Sequence, residues 1–143
     1  ANQALDRIIN FFPADRQHQV WMDLSLNLRG MVAQQLIPTV DGEGRRAAIE
    51  VLINTPLVSD NIRKGEVHVL KEIMTKSREQ GMQTFDQALY DLYKEGSISY
   101  ESALASADSA NDLRLLIKLS GASPEESGGA QGLSLEESED DYR

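Results

Sequence analysis

The chain has 143 residues, 14 basic and 23 acidic side chains and no cysteine, for a formal net charge of −9. That length suits a single domain, and a 41% hydrophobic content can supply a real core. The acidic excess argues against general nucleic-acid binding, which needs clustered Lys and Arg, and the lack of cysteine excludes disulfides, thiol nucleophiles and Cys-ligated metal.

Ala4, Leu5, Ile8, Ile9 and Phe12 recur at helical spacing and predict an opening amphipathic helix. Pro13 ends it and suits the first turn of a second helix, in which Val20, Trp21, Leu24 and Leu28 line one face. Met22, Leu24, Leu26 and Leu28 also alternate like a strand. The apolar pattern runs upstream to Val20 without turn residues, which favours the helix. Gly30 is expected to close it.

Two short β-prone runs follow, Met31 to Ile37 and Arg45 to Asn54, separated by Asp41-Gly42-Glu43-Gly44. The Asp-Gly step is a strong hairpin signal because both residues tolerate positive φ. Pro38 donates no ladder bond and marks a strand end or edge. The second run is apolar on both faces apart from Glu50, which predicts a buried strand.

After Thr55-Pro56 the pattern is helical. Thr55 can cap and Pro56 suits a first turn, opening a short helix from Leu57 to Lys64 that stops at Gly65. Leu57, Val58 and Ile62 are expected to face the core, with Ser59 and Arg63 sharing a more exposed face. Val67, Leu70, Ile73 and Met74 form the next stripe, beside an i,i+4 pair of Glu72 and Lys76, and Gly81 ends it. Thr84 and Gln87 read as a capping box, followed by the apolar face of Phe85, Ala88, Leu89, Leu92 and Tyr93 and a stop at Gly96. Ser99 and Asp108 are expected to cap two shorter helices, the second carrying Leu113, Leu116 and Ile117. The pattern predicts about seven helices and one hairpin.

Residues 119–143 hold seven acids and one base, a net of −6, which leaves −3 for the rest of the chain. They are rich in Ser and Gly, and only Leu133, Leu135 and Tyr142 could bury much. This composition predicts a disordered acidic tail, read as a solvated segment in preference to a docking one.

Several chemistries have no residues to support them. No Gly is followed by Lys, so a phosphate-cradling P-loop does not occur in this chain. Gly42-Glu43-Gly44 is a turn between strands. His18 and His68 fall on different predicted helices and lack the remaining ligands of a metal site. No G-x-S-x-G nucleophile elbow is present. No catalytic, nucleotide-binding or metal residues are therefore expected in this segment. No run of about 18 apolar residues occurs, so no membrane span is expected. Residues 1–10 lack a basic n-region and a long apolar run, so no signal peptide is expected there.

Three runs, in order, resemble a known family. Residues 4–13, Ala-Leu-Asp-Arg-Ile-Ile-Asn-Phe-Phe-Pro, resemble the helix that follows the His box of the PilT/PilU-type twitching-motility ATPases. Residues 41–50, Asp-Gly-Glu-Gly-Arg-Arg-Ala-Ala-Ile-Glu, resemble that family's β-hairpin with its Gly-Arg…Glu pattern. Residues 81–87, Gly-Met-Gln-Thr-Phe-Asp-Gln, match its G-M-Q-T-x-D-Q signature, and order and spacing agree to about Lys118. Ser59-Asp60 and the run from Asp108 to Arg114 lean toward the PilU type.

The resemblance implies a mostly α chain with a β-hairpin. Residues 1–55 would end a RecA-like α/β ATPase core, 56–118 would form a helical C-terminal subdomain and 119–143 the tail. It also implies that the Walker A, acidic, Walker B and His boxes precede this segment in a longer protein, a cytoplasmic, homo-hexameric retraction motor at the inner-membrane pilus base. That motor would use ATP and magnesium and would work beside an inner-membrane pilus-base protein and a partner retraction ATPase. The family's A-I-R-N-L-I-R-E retraction element aligns with residues 57–64, Leu-Val-Ser-Asp-Asn-Ile-Arg-Lys. Ile62 and Arg63 match it strictly, Ser59 stands for an Arg, and Lys64 reverses a Glu. Ile62 and Arg63 are thus the candidates for that role, against the plainer reading of a short packed helix. Arg45 reads as a solvated residue at the hairpin exit, and the resemblance offers it as a candidate subunit contact.

A second hypothesis, independent of the resemblance, is a non-enzymatic helical protein-interaction module acting alone. On either reading the purified chain is expected neither to bind ATP tightly nor to hydrolyse it, for want of a phosphate-binding loop. Magnesium-dependent turnover above a buffer control would overturn this.

Overall fold

A computed structural model describes residues 2–121. Helix α1 (Asn2–Asn10) buries Leu5 and Ile9, four residues apart on one face. Helix α2 (Ala14–Asn27) follows Pro13. The alternating run is helical from Met22 to Asn27, with Leu26 exposed and Ser25 buried, its Oγ donating to the Met22 carbonyl at 2.7 Å.

Gly30 does not close α2. The helix ends with Leu28 in extended backbone, its N–H bonded to the Leu24 carbonyl, and Gly30 is the first residue of strand β1 (Gly30–Pro38). It pairs with Ile53 of strand β2 (Arg45–Ile53) in an antiparallel register that runs to Pro38 opposite Arg45. A Cβ on Gly30 would lie 2.9 Å from the Leu52 carbonyl oxygen, so the glycine is there for close approach. The turn forms where the Asp-Gly step predicted it. Gly42 has φ +72°, and the Asp41 carboxylate accepts from Thr39 Oγ1 and from the Glu43 N–H.

Ala48, Glu50 and Leu52 are buried on the inner face of β2, while Arg45, Arg46 and Ala47 are exposed. The expectation of a strand covered on both faces therefore holds only from Ala48 onward. The outer edge of β2 is closed by a bridge to Gln83. The Val51 N–H donates to the Gln83 carbonyl at 2.8 Å, the Gln83 N–H donates back at 3.0 Å, and Gln83 Nε2 donates to the Ile49 carbonyl.

Helix α3 (Pro56–Arg63) is capped by Thr55, whose side chain accepts from the Val58 N–H. Val58 and Ile62 are fully buried, but Leu57 is 58% exposed, against expectation. A four-residue step keeps Val58 and Ile62 on one side, whereas Leu57, one residue earlier, is rotated by about 100°. A 3-10 turn (Val67–Val69) leads into α4 (Leu70–Lys76). A second 3-10 turn (Arg78–Gln80) precedes Gly81 at φ +90°, so α4 stops earlier than the stripe implied.

Helix α5 (Phe85–Lys94) carries the complete Thr84/Gln87 capping box. Helix α6 (Tyr100–Ser106) is capped by Ser99. Helix α7 (Ala110–Leu119) is capped by Ser109 and not by Asp108, whose N–H instead donates to Asp86 Oδ1 at 2.8 Å. The expectation for the acidic tail falls, from residue 122 on, outside the described residues.

The described residues thus form seven α-helices around one hairpin, with two apolar clusters. The first joins Leu5, Leu52, Val58, Ile62, Leu70 and Met74. The second joins Ile37, Ala48, Leu89, Ile98, Leu113 and Ile117. Gly30→Ala should destabilise the chain by about 1–3 kcal/mol, because the added methyl meets backbone that cannot rotate away. A chemical-denaturation midpoint unchanged from the parent chain would contradict the close-approach account.

Candidate functional site

The retraction-element candidates lie at the end of α3. Ile62 is fully buried in the first cluster and anchors the helix. Arg63 is exposed, its guanidinium paired with Asp60 one turn earlier. Lys64 also reaches the Asp60 carboxylate, at 2.6 Å. The hydrogen bond from Lys64 comes first and that from Arg63 second in holding the Asp60 carboxyl below its usual value. Asp60 in turn raises the Lys64 amine. The reversed charge at Lys64 is thereby matched within its own helix.

Ser59 does not share the exposed face of Arg63. It is half-buried, and its Oγ donates to the Ser25 carbonyl of α2 at 2.7 Å. Asn54 Nδ2 donates to the same carbonyl at 3.0 Å and to the Leu28 carbonyl at 2.8 Å. Together they satisfy carbonyls at the C-terminal end of α2 that the helix leaves without internal partners. Sequence periodicity missed this pair. An Asn just before a Thr-Pro helix start, with a Ser inside that helix, was the available signal.

Arg45 sits at the start of β2 on the outer face of the hairpin, with Val32, Leu36, Ala47 and Ile49. Val32 and Leu36 are exposed, and Arg45 makes no ion pair among the described residues. Its neighbour Arg46 points to the other face and pairs with Glu95 at 3.3 Å. The structure does not bring Arg45 and Arg63 into contact with one another. His18 and His68 are both exposed, and no group of three metal-binding side chains occurs among the described residues. No described helix is long and apolar enough to cross a membrane.

Two clefts open between the clusters. One, of about 220 Å³, is lined by Asn2, Gln3, Glu50, Lys71, Phe85 and Asp108. The other, of about 230 Å³, is lined in part by Lys71, Thr84, Asp86 and Leu113.

Over a 143-position alignment that covers 99% of its length, the chain is 70% identical to the type IV pilus ATPase PilU of Pseudomonas aeruginosa. The chain belongs to the PilT/PilU-type family. It is also 36% identical over 103 residues, 72% of its length, to the type IV pilus retraction ATPase PilT of the same organism. A crystal structure of the pilus retraction motor PilT with bound ADP superposes with a TM-score of 0.70 at 33% identity, covering 80% of this chain and 32% of that one. The fold is therefore that of part of a PilT-type ATPase. This chain spans 37% of the PilU relative and 30% of the PilT relative, about a third of their length. No protein-family model matches it.

The Asp60 clamp has a pH signature. A carboxylate whose folded pKa is depressed contributes stability that is present above its unfolded value, about 4, and lost as pH falls through the folded one. Asp60→Asn should therefore lose less stability between pH 6 and pH 3 than the parent chain in matched denaturant titrations. Identical pH profiles would remove Asp60 from the account.

Proposed function

We propose that this chain is the C-terminal segment of a type IV pilus retraction ATPase and that it transmits, and does not itself perform, ATP hydrolysis. The 70% identity to PilU across 99% of the chain carries this reading. The hairpin supports it physically. Nine residues of β1 present an edge, and Val32 and Leu36 present an exposed apolar face, that a larger sheet would cover. On this reading the hairpin in residues 1–55 completes a RecA-like sheet, residues 56–118 are a helical subdomain and 119–143 an appended acidic tail. The complete protein would be a cytoplasmic homo-hexamer at the inner-membrane pilus base. It would bind ATP and magnesium through residues outside this segment and act with a pilus-base membrane protein and a partner retraction ATPase.

Within that motor Ile62 and Arg63 divide the work of α3. Ile62 fixes the helix in the core, and Arg63 offers a planar guanidinium at the surface that can bridge subunits or domains bidentately. Arg45, which makes no ion pair among the described residues, offers a second exposed cation beside the exposed hairpin face, suited to a subunit contact.

In the full-length protein, Arg63→Ala should leave stability within about 0.5 kcal/mol, since exposed ion pairs contribute little, yet impair twitching movement or ATP turnover. Ile62→Ala should lower stability by about 2–4 kcal/mol through a core cavity. Paired thermal unfolding, motility and ATPase assays decide the matter. Normal movement and turnover in Arg63→Ala would reduce α3 to a structural helix.

A further inference from the structure

Among the described helices α7 alone leaves more than one large apolar side chain in solvent. Leu115 is 56% exposed, Leu116 37% and Leu119 79%. The inner face of the helix is already full, with Leu113 and Ile117 buried in the second cluster. Leu115 and Leu119 are four residues apart and form one ridge on the outer side. Arg114 and Lys118, also four apart and exposed, form a second ridge beside it. Neither cation makes an ion pair among the described residues. Arg114 Nη1 donates to Asn111 Oδ1 at 3.1 Å. Leu116 continues the apolar surface into the second cleft beside Leu113. The lysine of that cleft, Lys71, is already engaged, its Nζ 2.9 Å from Asp86 Oδ2.

A leucine ridge beside a cationic one suits a segment in which leucines are followed by acids, and the chain itself carries one. Leu133-Ser134-Leu135 leads directly into Glu136, Glu137, Glu139, Asp140 and Asp141. In extended backbone, side chains two residues apart lie on one side about 6.6 Å apart, close to the rise of about 6 Å between Leu115 and Leu119 along the helix. The 11 residues between Gly121 and Leu133 include Ser123, Pro124, Ser127, Gly128, Gly129 and Gly132. A Gly- and Ser-rich linker of that length spans about 17–20 Å, enough to return along the roughly 15 Å of α7. Such a tether holds its end at an effective concentration of about a millimolar, so a contact too weak between separate molecules is populated within one. Composition alone favours a solvated tail; α7 supplies a matching surface that composition does not reveal.

We propose that residues 133–141 dock on the outer face of α7. Leu133 and Leu135 cover the Leu115/Leu119 ridge, and Glu136 and Glu137 lie beside Arg114 and Lys118. The acidic tail is then an intramolecular cover for this face, and any protein that binds α7 there must displace it.

The chain has no cysteine, so Ser138→Cys provides a single attachment point for a nitroxide spin label. Nuclear magnetic resonance of the isotope-labelled 143-residue chain then reads the paramagnetic broadening at each amide. The amides of 114–119 should lose most of their intensity relative to the same chain with the label reduced, and those of α2 and α3 should keep theirs. A tethered coil also passes near α7, so the deciding comparison is with two variants of the spin-labelled chain, Leu133→Ser/Leu135→Ser and Leu115→Ser/Leu119→Ser. All four positions are exposed or in the tail, so neither variant removes a core side chain of the described residues. Each should restore much of the lost intensity. A loss left unchanged by either variant is that of a tail that does not use these leucines, and it overturns the proposal. Broadening that appears in full when spin-labelled chains are mixed with isotope-labelled chains lacking the label would put a second copy on the face, and overturns it as well.

Discussion

Strand β2 is hydrogen-bonded along both edges, and the rest of the fold is arranged around that. On one side it pairs with β1 over nine positions, and on the other it is bridged by Gln83. A strand held from both sides cannot shift register, because a slip of one residue would turn Ala48, Glu50 and Leu52 outward. The same strand gives Leu52 to one cluster and Ala48 to the other. The helices before it and those after it are therefore positioned by one piece of backbone.

The candidate element on α3 depends on that positioning at one remove. Asn54 leaves β2 directly into the carbonyls that end α2, and Ser59 reaches the same Ser25 oxygen from within α3. Val58 and Ile62 complete the attachment from the apolar side. Arg63 lies outside these contacts and is exposed to solvent, as Leu57 is. Its guanidinium is held at the surface by Asp60 of the same helix.

Much of the fold was legible in local chemistry. The Asp-Gly turn, the Thr55-Pro56 start and the Thr84/Gln87 capping box each act within about four residues, so the letters alone specify them. The opening helix was legible because Leu5 and Ile9 recur at the helical period. The family was legible because three separate runs carried its pattern in order, and the 70% identity to PilU bears that out. Gly30 was misread because a glycine after a helical run looks like a helix stop. Its actual reason, the approach of the Leu52 carbonyl, comes from a residue 22 positions away.

The sequence by itself determined the seven helices and the hairpin, the caps at Thr55, Thr84 and Ser99, the Asp-Gly turn, the family and the absence of a P-loop from this chain, since those are properties of neighbouring residues or of a recurring pattern. Only the tertiary structure decided that Leu57 faces solvent, that Ser59 binds α2 and that Asp86 is a buried junction between α4 and the start of α7. A period of 3.6 residues says which side chains share a face but not which face a neighbour covers. The partners of Ser59 and Asp86 are backbone groups and a lysine brought close by the fold, and backbone groups are identical at every position of a sequence.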